Sequence, residues 1–311
     1  MGKEMRDIYG ETLAELGAEN KDIVVLDADL SGSTRSKLFA QRYPERFFNM
    51  GIAEADMMAC AAGLASVGKI PFVNSFAVFL TTNGLLSART QICYGGMNVK
   101  LAGAYAGLSD AMDGASHHAL EDLALMRALP GMRILVPSDG ESARWATRWA
   151  ARNEGPVYLR LSRTEYPELY PRGTEFEPGR GKVLREGSDG VIFAIGLMTH
   201  KALEAAEMLA AEGMSVRVVD LLSVKPLDEE LVLRSARECG AVVCAEEHQL
   251  YGGMGSAVAQ VLAGAGVGAP TEYVAVPDVF TETGAYEALV KKFKLDAEGV
   301  AAAMRRAVVR K

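Results

Sequence analysis

Residues 47–79 read FFNMGIAEADMMACAAGLASVGKIPFVNSFAVF, and two kinds of pattern alternate within them. One apolar run covers residues 47–50 and another covers residues 72–76. Between these runs, apolar residues recur at intervals of three and four across residues 53–67. Short apolar runs are typical of buried strands, and the longer spacing is typical of an amphipathic helix. The stretch therefore predicts a strand, a crossover helix and a second, parallel strand.

The same alternation extends along the rest of the chain. Further strand-like runs occur at residues 23–26, 99–101, 134–136, 157–161, 191–195, 216–222 and 241–245. Further helical patterns occur at residues 141–152, 200–212, 228–239, 254–263 and 284–310. Strands that alternate with helices indicate parallel sheets with helices on both faces. The predicted fold class is α/β, with two doubly wound sheet domains.

A change in composition predicts where the two domains meet. Residues 166–182 are rich in proline and glycine with interspersed charges, and the regular patterns stop there. Such composition is typical of a linker. A chain of 311 residues is long enough for two compact units. We therefore expect one domain at residues 1–165 and a smaller domain at residues 183–311.

The composition also excludes several classes of protein. With 49% hydrophobic and 23% charged residues, the chain is typical of a globular protein. A net charge of −7 argues against nucleic acid as a partner, because phosphate backbones require a basic surface. The cysteines lack a CxxC spacing and lie in apolar surroundings, so we expect reduced, buried thiols in a cytoplasmic protein. No histidine lies at a metal-ligand spacing with them, so no metal held by this chain alone is predicted.

Side chains that can carry chemistry gather where the predicted strands end, the edge at which open α/β sheets bind ligands. Asp27 and Asp29 follow the first strand, Glu54 follows the next, and Phe76 and Phe79 end the third. Each has an ordinary explanation taken singly. A first-turn helix carboxylate, an Asx turn or a core aromatic residue would account for them.

A long segment of small and polar residues spans residues 102–118, and loops of this length in compact domains are usually functional. It ends with His117 and His118, which are half of the four histidines in the chain. A helix cap or a solvated turn is the ordinary alternative. Arg163 closes the last strand of the first domain, as exposed arginines often do. The joint placement of these groups at one sheet edge is what calls for a common explanation.

The ordered motifs resemble a known enzyme family. Residues 47–79, MDGASHHALEDLALMRALPGMRILVPSDG at residues 112–140 and PVYLRLSR at residues 156–163 closely resemble the pyrimidine-binding domain of transketolase. VVCAEEHQLYGGMGSAVAQVLA at residues 242–263 and TETGAYEALVKKFKLDAEGV at residues 281–300 resemble the C-terminal domain that this superfamily shares. The resemblance implies transfer of a two-carbon ketol unit from a ketose phosphate to an aldose phosphate through thiamine diphosphate.

The resemblance also implies a partner subunit. Transketolases carry, ahead of this region, a domain with a Gly-Asp-Gly motif that holds Mg²⁺ and the cofactor diphosphate, and this chain contains no such domain. The chain begins immediately before the pyrimidine-binding domain. We therefore expect the C-terminal subunit of a split transketolase, which is active only with a separate diphosphate-binding subunit. A heterotetramer built on a dimer of this chain is the expected assembly.

By resemblance, five residues bind the cofactor. Glu54 hydrogen-bonds the ring nitrogen of the aminopyrimidine and thereby acts in catalysis. Phe76 and Phe79 stack on the pyrimidine and exclude water from that carboxylate. Asp29 and Leu30 flank the thiazolium ring.

By resemblance, a second group of residues binds the sugar substrates. Asp113 and His117 contact the sugar hydroxyls and assist proton transfer, so both are expected to be catalytic. Arg6, Ser33 and Arg163 form a phosphate clamp at the mouth of the pocket, a role that suits forked guanidinium donors.

Two departures from the family pattern concern the substrate. Tyr105 stands where transketolases usually have a histidine that contacts the substrate, and Thr82 replaces a third aromatic residue of the pyrimidine cradle. Residues 108–113 also lack the usual Val-Gly-Glu. We therefore expect Tyr105 to contact the substrate in a remodelled pocket, and a branched, deoxy or sulfonated sugar stays open as donor.

Three alternatives remain on the sequence alone. A 2-oxo acid dehydrogenase beta subunit would transfer an acyl group to lipoamide. A deoxyxylulose-phosphate synthase would use pyruvate, although that enzyme carries an arginine where Phe79 stands here. A non-catalytic regulatory subunit would have no reason to keep Glu54 in an apolar pocket.

Overall fold

The computed structural model of the protein describes residues 4–165 and 167–311, which form two sheets flanked by helices. The strands are β1 Ile23–Asp27, β2 Phe47–Asn49, β3 Ile70–Phe76, β4 Lys100–Ala104, β5 Arg133–Leu135, β6 Val157–Arg160, β7 Lys182–Arg185, β8 Gly190–Ala194, β9 Val216–Asp220, β10 Ser223–Lys225, β11 Val242–Gln249 and β12 Thr271–Val276. The helices are α1 Met5–Glu19, α2 Ser31–Thr34, α3 Lys37–Arg42, α4 Glu54–Ser66, α5 Ala77–Thr82, α6 Leu85–Ser87, α7 Asp122–Arg127, α8 Gly140–Arg152, α9 Met198–Ala211, α10 Glu229–Cys239, α11 Met254–Gly264, α12 Tyr286–Lys292 and α13 Ala297–Val309. The predicted α/β fold with two sheet domains is confirmed.

The first sheet has seven strands in the order β10-β5-β6-β4-β3-β1-β2, and the second has five in the order β12-β11-β8-β9-β7. The central strands of both sheets are parallel. Alternate residues of β1 pack into two separate apolar clusters: Val24 and Leu26 join Met57 of α4, whereas Ile23 joins Leu13 of α1. Because neighbouring side chains point to opposite faces of a strand, helices cover both faces of the sheet.

Two edge strands run antiparallel, which the sequence pattern does not predict. β7 pairs with β9, and β10 pairs with β5. The expected strand at residues 216–222 ends at Asp220 instead, because the chain turns at Leu222, where φ is 51°. After this turn the chain leaves the second sheet, and β10 joins the first sheet. The two sheets are therefore linked directly through β9 and β10. Within the described part of residues 166–182, residues 167–181 form neither helix nor strand. The domain bounds themselves stay a prediction.

The cysteines correct one expectation. All four are free, and Cys239 and Cys244 are buried as predicted. Cys60 and Cys93 are only half-buried. Both are packed against the edge of the main apolar cluster rather than inside it, so the prediction of four buried thiols is wrong for these two. Among the helices of residues 4–165 and 167–311, none combines the length and apolarity that crossing a bilayer requires.

A buried polar network joins the two halves of the chain. The Arg160 guanidinium at the end of β6 lies 2.7 Å from the Asp122 carboxylate and donates to the carbonyl oxygens of Ala119, at 3.1 Å, and Glu247, at 2.9 Å. The Tyr158 hydroxyl donates to the same carboxylate at 2.7 Å. Burial, the largest single cause, would raise the pKa of Asp122, but the charge and hydrogen bonds of Arg160, together with His248 and the Tyr158 hydroxyl, outweigh burial and lower it. The ion pair is therefore intact at neutral pH.

Replacing Asp122→Asn is expected to lower the free energy of unfolding by about 3 kcal/mol, because it leaves the buried Arg160 charge uncompensated. Urea denaturation followed by circular dichroism measures the change. Glu230→Gln is the control, since Glu230 pairs with Arg180 at 3.5 Å with both side chains exposed, and such pairs contribute less than about 1 kcal/mol. Equal losses in the two variants would contradict the role of the network.

Candidate active site

The Glu54 carboxylate is fixed at the point where α4 begins. Glu54 is only 3% exposed, although it is the first residue of its helix. Its two carboxylate oxygens accept hydrogen bonds from the Ser75 hydroxyl at 3.0 Å and from the Asn83 amide at 3.3 Å. The helix N-terminus also favours a negative charge there. The buried carboxylate is therefore held in one orientation. Neither Ser75 nor Asn83 was predicted from the sequence.

Four rings cluster at the end of β3, next to Ser75. The Phe76 ring, which directly follows Ser75, stacks on Tyr105 with centroids 4.4 Å apart. The Phe79 ring stacks on Phe76 at 6.1 Å. The His117 ring lies edge-to-face with both phenyl rings, at centroid distances of 6.1 Å and 5.1 Å. The sheet edge thus combines an acidic group with ring faces of the kind that stack on a flat heteroaromatic ligand.

Two guanidinium groups lie over the Tyr105 ring. Arg6 from α1 lies 5.2 Å from the ring centroid, and Arg163 from the segment after β6 lies 5.0 Å from it. Arg6 also donates to the Tyr105 hydroxyl, and to the carbonyl oxygen of Ser33 at 3.3 Å. The backbone of Tyr105 adopts φ 60°, which is uncommon for a non-glycine residue. This arrangement places two cations at one end of the ring cluster, where an anionic substrate group could bind.

Asp110 is a buried carboxylate that the sequence analysis did not single out. It is fully buried, it pairs with Arg163 at 3.5 Å, and neither of its carboxylate oxygens accepts a hydrogen bond from a described residue. Burial first, and the nearby Asp113 second, raise its pKa to about 6, although His117 and Arg163 oppose the rise. The only signal in the sequence is a second aspartate three residues before Asp113.

The remaining predicted residues lie around the ring cluster. Leu30 packs against the apolar cluster formed by Phe76, Ala104 and Tyr105. Asp113 is exposed, and its backbone N–H donates to the Asp110 carbonyl at 3.1 Å. Asp29 is exposed too, and its carboxylate accepts a hydrogen bond from the Asn49 amide at 2.8 Å. Asp29 is therefore tied to β2 rather than to the rings.

The candidate site lacks a cluster of metal ligands among the described residues. Across residues 4–165 and 167–311, no group of three or more His, Cys, Asp or Glu side chains is arranged to hold a metal ion. The candidate site therefore consists of a carboxylate, a ring cluster and two guanidinium groups.

Comparison with known proteins gives this arrangement a context. The family model for the transketolase pyrimidine-binding domain matches residues 2–168, and that for the transketolase C-terminal domain matches residues 179–300. A solved structure described as a split gene transketolase, inactive beta4 tetramer, is 52% identical, with a TM-score of 0.92 over 99% of both chains.

Two other proteins are similar to almost the whole of this chain. The 6-deoxy-6-sulfo-D-fructose transketolase subunit of Clostridium sp. (strain MSTE9) is 40% identical over 307 residues, which cover 99% of this chain and 95% of that subunit. The transketolase of Homo sapiens is 36% identical over 307 residues, which cover 96% of this chain but only 48% of that protein.

Asp110→Asn is expected to stabilise the protein at neutral pH. Because the pKa rises from 3.8 to about 6 on folding, the free energy of unfolding falls as the pH rises through this window, and the loss is complete above it. A displacement of this size corresponds to about 3 kcal/mol as an upper bound. Urea denaturation at about pH 7.5 and about pH 4 measures the gain, which should vanish at the lower pH.

The control for this prediction is Asp56→Asn, which removes an exposed carboxylate from the same domain. A surface change of this kind shifts stability by less than about 0.5 kcal/mol. If Asp110→Asn gave the same gain at both pH values, the raised pKa would not be its cause.

Proposed function

This chain belongs to the transketolase family, and we propose that it is the C-terminal subunit of a split transketolase that transfers a two-carbon ketol unit from a ketose phosphate or related anionic ketose to an aldose phosphate. Transketolases are thiamine diphosphate-dependent transferases, and split subunits are among the relatives of this chain. The observation that carries the proposal is the buried Glu54 carboxylate, fixed by Ser75 and Asn83, which belong to the same short stretch of chain as the stacked rings of Phe76 and Phe79.

The side chains fit the aminopyrimidine end of thiamine diphosphate. A flat, protonatable heteroaromatic ring needs an aromatic surface and a carboxylate within hydrogen-bonding reach, and this sheet edge offers both. When bound, thiamine diphosphate supplies the electron sink for a two-carbon carbanion. Glu54 would hold a proton at the ring nitrogen of the pyrimidine, and the apolar rings would keep water from competing for that bond. Asp29 and Leu30 would line the space next to the thiazolium.

The diphosphate and Mg²⁺ are assigned to a partner subunit. The chain spans about half the length of the human transketolase it matches, which leaves the diphosphate-binding half unaccounted for. A split transketolase with 52% identity is described as an inactive tetramer of one kind of subunit. Both facts support a requirement for a second polypeptide. We place two such chains and two partners in a heterotetramer, built on a dimer of this chain.

The cationic end of the site is assigned to the anionic terminus of the sugar. Arg6 and Arg163 can both contact a phosphate or sulfonate group. Arg6 also donates a hydrogen bond to the Ser33 carbonyl oxygen, which places Ser33 next to this group. Asp113 and His117 would contact the sugar hydroxyls and move the proton that leaves one of them. The Clostridium relative is named for a sulfonated ketose, so a sulfonated donor belongs among the substrates to be assayed.

Glu54→Gln is expected to lower ketol transfer by about a hundredfold or more, because an amide cannot take the proton role of the carboxylate. The chain is mixed with the partner subunit that carries Gly-Asp-Gly, with thiamine diphosphate and Mg²⁺, and assayed with xylulose 5-phosphate and ribose 5-phosphate. Asp56→Asn is the matched control, since Asp56 lies exposed in the same first turn of α4.

The same mixture discriminates between the candidate reactions. Turnover with a 2-oxo acid and a lipoyl acceptor, but not with sugars, would indicate a 2-oxo acid dehydrogenase subunit. Turnover with pyruvate and glyceraldehyde phosphate would indicate deoxyxylulose-phosphate synthesis. Full activity of Glu54→Gln would contradict the assigned role of the carboxylate.

Tyr105→Phe is expected to raise KM for an anionic donor about tenfold with little change in kcat, because Arg6 loses the hydroxyl that orients it. Steady-state kinetics with a phosphorylated ketose and with its uncharged analogue measure the effect. Tyr94→Phe serves as the control, since Tyr94 is 92% exposed. An equal rise in KM for the uncharged analogue would remove Tyr105 from the anion-binding arrangement.

A further inference from the structure

The segment that carries Asp113 and His117 has little regular structure of its own. Residues 107–118, here named the substrate loop, contain no strand or helix, apart from an isolated bridge between Gly107 and Ala119. A loop of this length needs partners elsewhere if its side chains are to keep one position. Besides contacts within the first half, several of those partners come from the C-terminal half of the chain, residues 183–311.

Three hydrogen bonds join the substrate loop to the C-terminal half. The Leu108 N–H donates to the Glu247 carboxylate at 2.6 Å. The Gly284 N–H donates to the Ala111 carbonyl at 3.1 Å. The His118 Nδ1 and the Thr281 hydroxyl are 2.6 Å apart. The bonds are distributed over the first, middle and last part of the loop.

Apolar packing follows the same path. Leu108 and Ala111 belong to the apolar cluster that forms the core of the second sheet, together with residues such as Val243 and Leu289. The loop also approaches the backbone closely: a Cβ at Gly114, where φ is +77°, would lie 2.4 Å from the Thr283 hydroxyl. The second sheet domain thus shapes a loop that belongs, by sequence, to the first.

The hydrogen bond between His118 and Thr281 lies next to His117, the residue assigned to the sugar hydroxyls. His118 is 2% exposed and Thr281 is 9% exposed, so water cannot easily replace either partner. Burial lowers the pKa of His118, which keeps its ring neutral near pH 7. His117 immediately precedes His118, and its ring lies edge-to-face with the ring of Phe79. A rotation of the His118 backbone would move His117 off that ring.

We propose that the C-terminal half of the chain positions the substrate loop for catalysis, and that Thr281 is a positioning residue that acts on His117 through its hydrogen bond to His118. The assignment of Asp113 and His117 to the sugar rests on the proposed function. The attachment of the loop to Thr281 does not, so the two can be tested separately.

The attachment is tested by amide hydrogen exchange on the full chain without partner or substrate. Thr281→Val removes the hydroxyl with little change in size and should speed exchange at the amides of Asp113 and His117 about tenfold. Thr281→Ser keeps the hydroxyl and should restore the slow exchange. Thr271→Val is the control, because the Thr271 hydroxyl donates to Ala269 at the opposite end of β12.

The catalytic consequence is tested in the complex with the Gly-Asp-Gly subunit. Thr281→Val should lower kcat and raise KM for the ketose donor, each by several fold, and should leave KM for thiamine diphosphate unchanged. A general loss of structure would instead raise KM for the ketose donor and KM for thiamine diphosphate together. In a His118→Phe background, Thr281→Val should have no further effect, because the bond is already absent.

The results that overturn the proposal are specific. Unchanged exchange in the substrate loop of Thr281→Val, or wild-type kinetics for the ketose donor, would exclude Thr281 as a positioning residue. If Thr281→Val were unstable, Thr281→Ala would replace it in the same comparisons, with Thr281→Ser as the rescue. Absence of ketol transfer by the wild-type complex would instead refute the proposed function, while the exchange result would still decide the attachment of the loop.

Discussion

The site depends on one carboxylate that is shielded from solvent at the carboxyl end of the parallel strands of the first sheet. Glu54 begins α4, where a helix N-terminus favours negative charge, yet it is almost fully buried. Burial of a carboxylate is unfavourable unless hydrogen bonds compensate, and Ser75 and Asn83 provide them. Ser75 lies in β3 and Asn83 directly follows α5. These two consecutive elements also carry Phe76 and Phe79, so one β3–α5 unit sets the position of the acid and of the two phenyl rings.

A second constraint is that the site is shared between distant parts of the chain. Arg6 comes from α1, Arg163 from the end of β6, and the loop with His117 is held from residues near Thr281. The buried Arg160 network and the passage of β10 into the first sheet fix the two halves against each other. The rings and acids assigned to cofactor and substrate all lie within residues 4–165, yet the C-terminal half can in this way still influence the geometry of the site.

Much of this could be predicted from the sequence because periodicity reports local structure. The alternation of strands and helices, and the gathering of Glu54, Phe76 and His117 at one sheet edge, follow from patterns within short stretches. The antiparallel strands β7 and β10 could not be predicted, because their short runs resemble loops and pair only through tertiary contacts. Asp110 was missed for a related reason: its burial depends on packing from elements distant in sequence, and nothing in the loop itself distinguishes it from Asp113.

The central claim is that this chain provides half of a cofactor site, which a partner completes. The most direct measurement is a titration of thiamine diphosphate with Mg²⁺, followed by intrinsic fluorescence, against the chain alone, the Gly-Asp-Gly subunit alone and their equimolar mixture. The account predicts saturable, tight binding in the mixture and binding weaker by at least about a hundredfold to this chain alone. Binding by this chain alone as tight as by the mixture would contradict it.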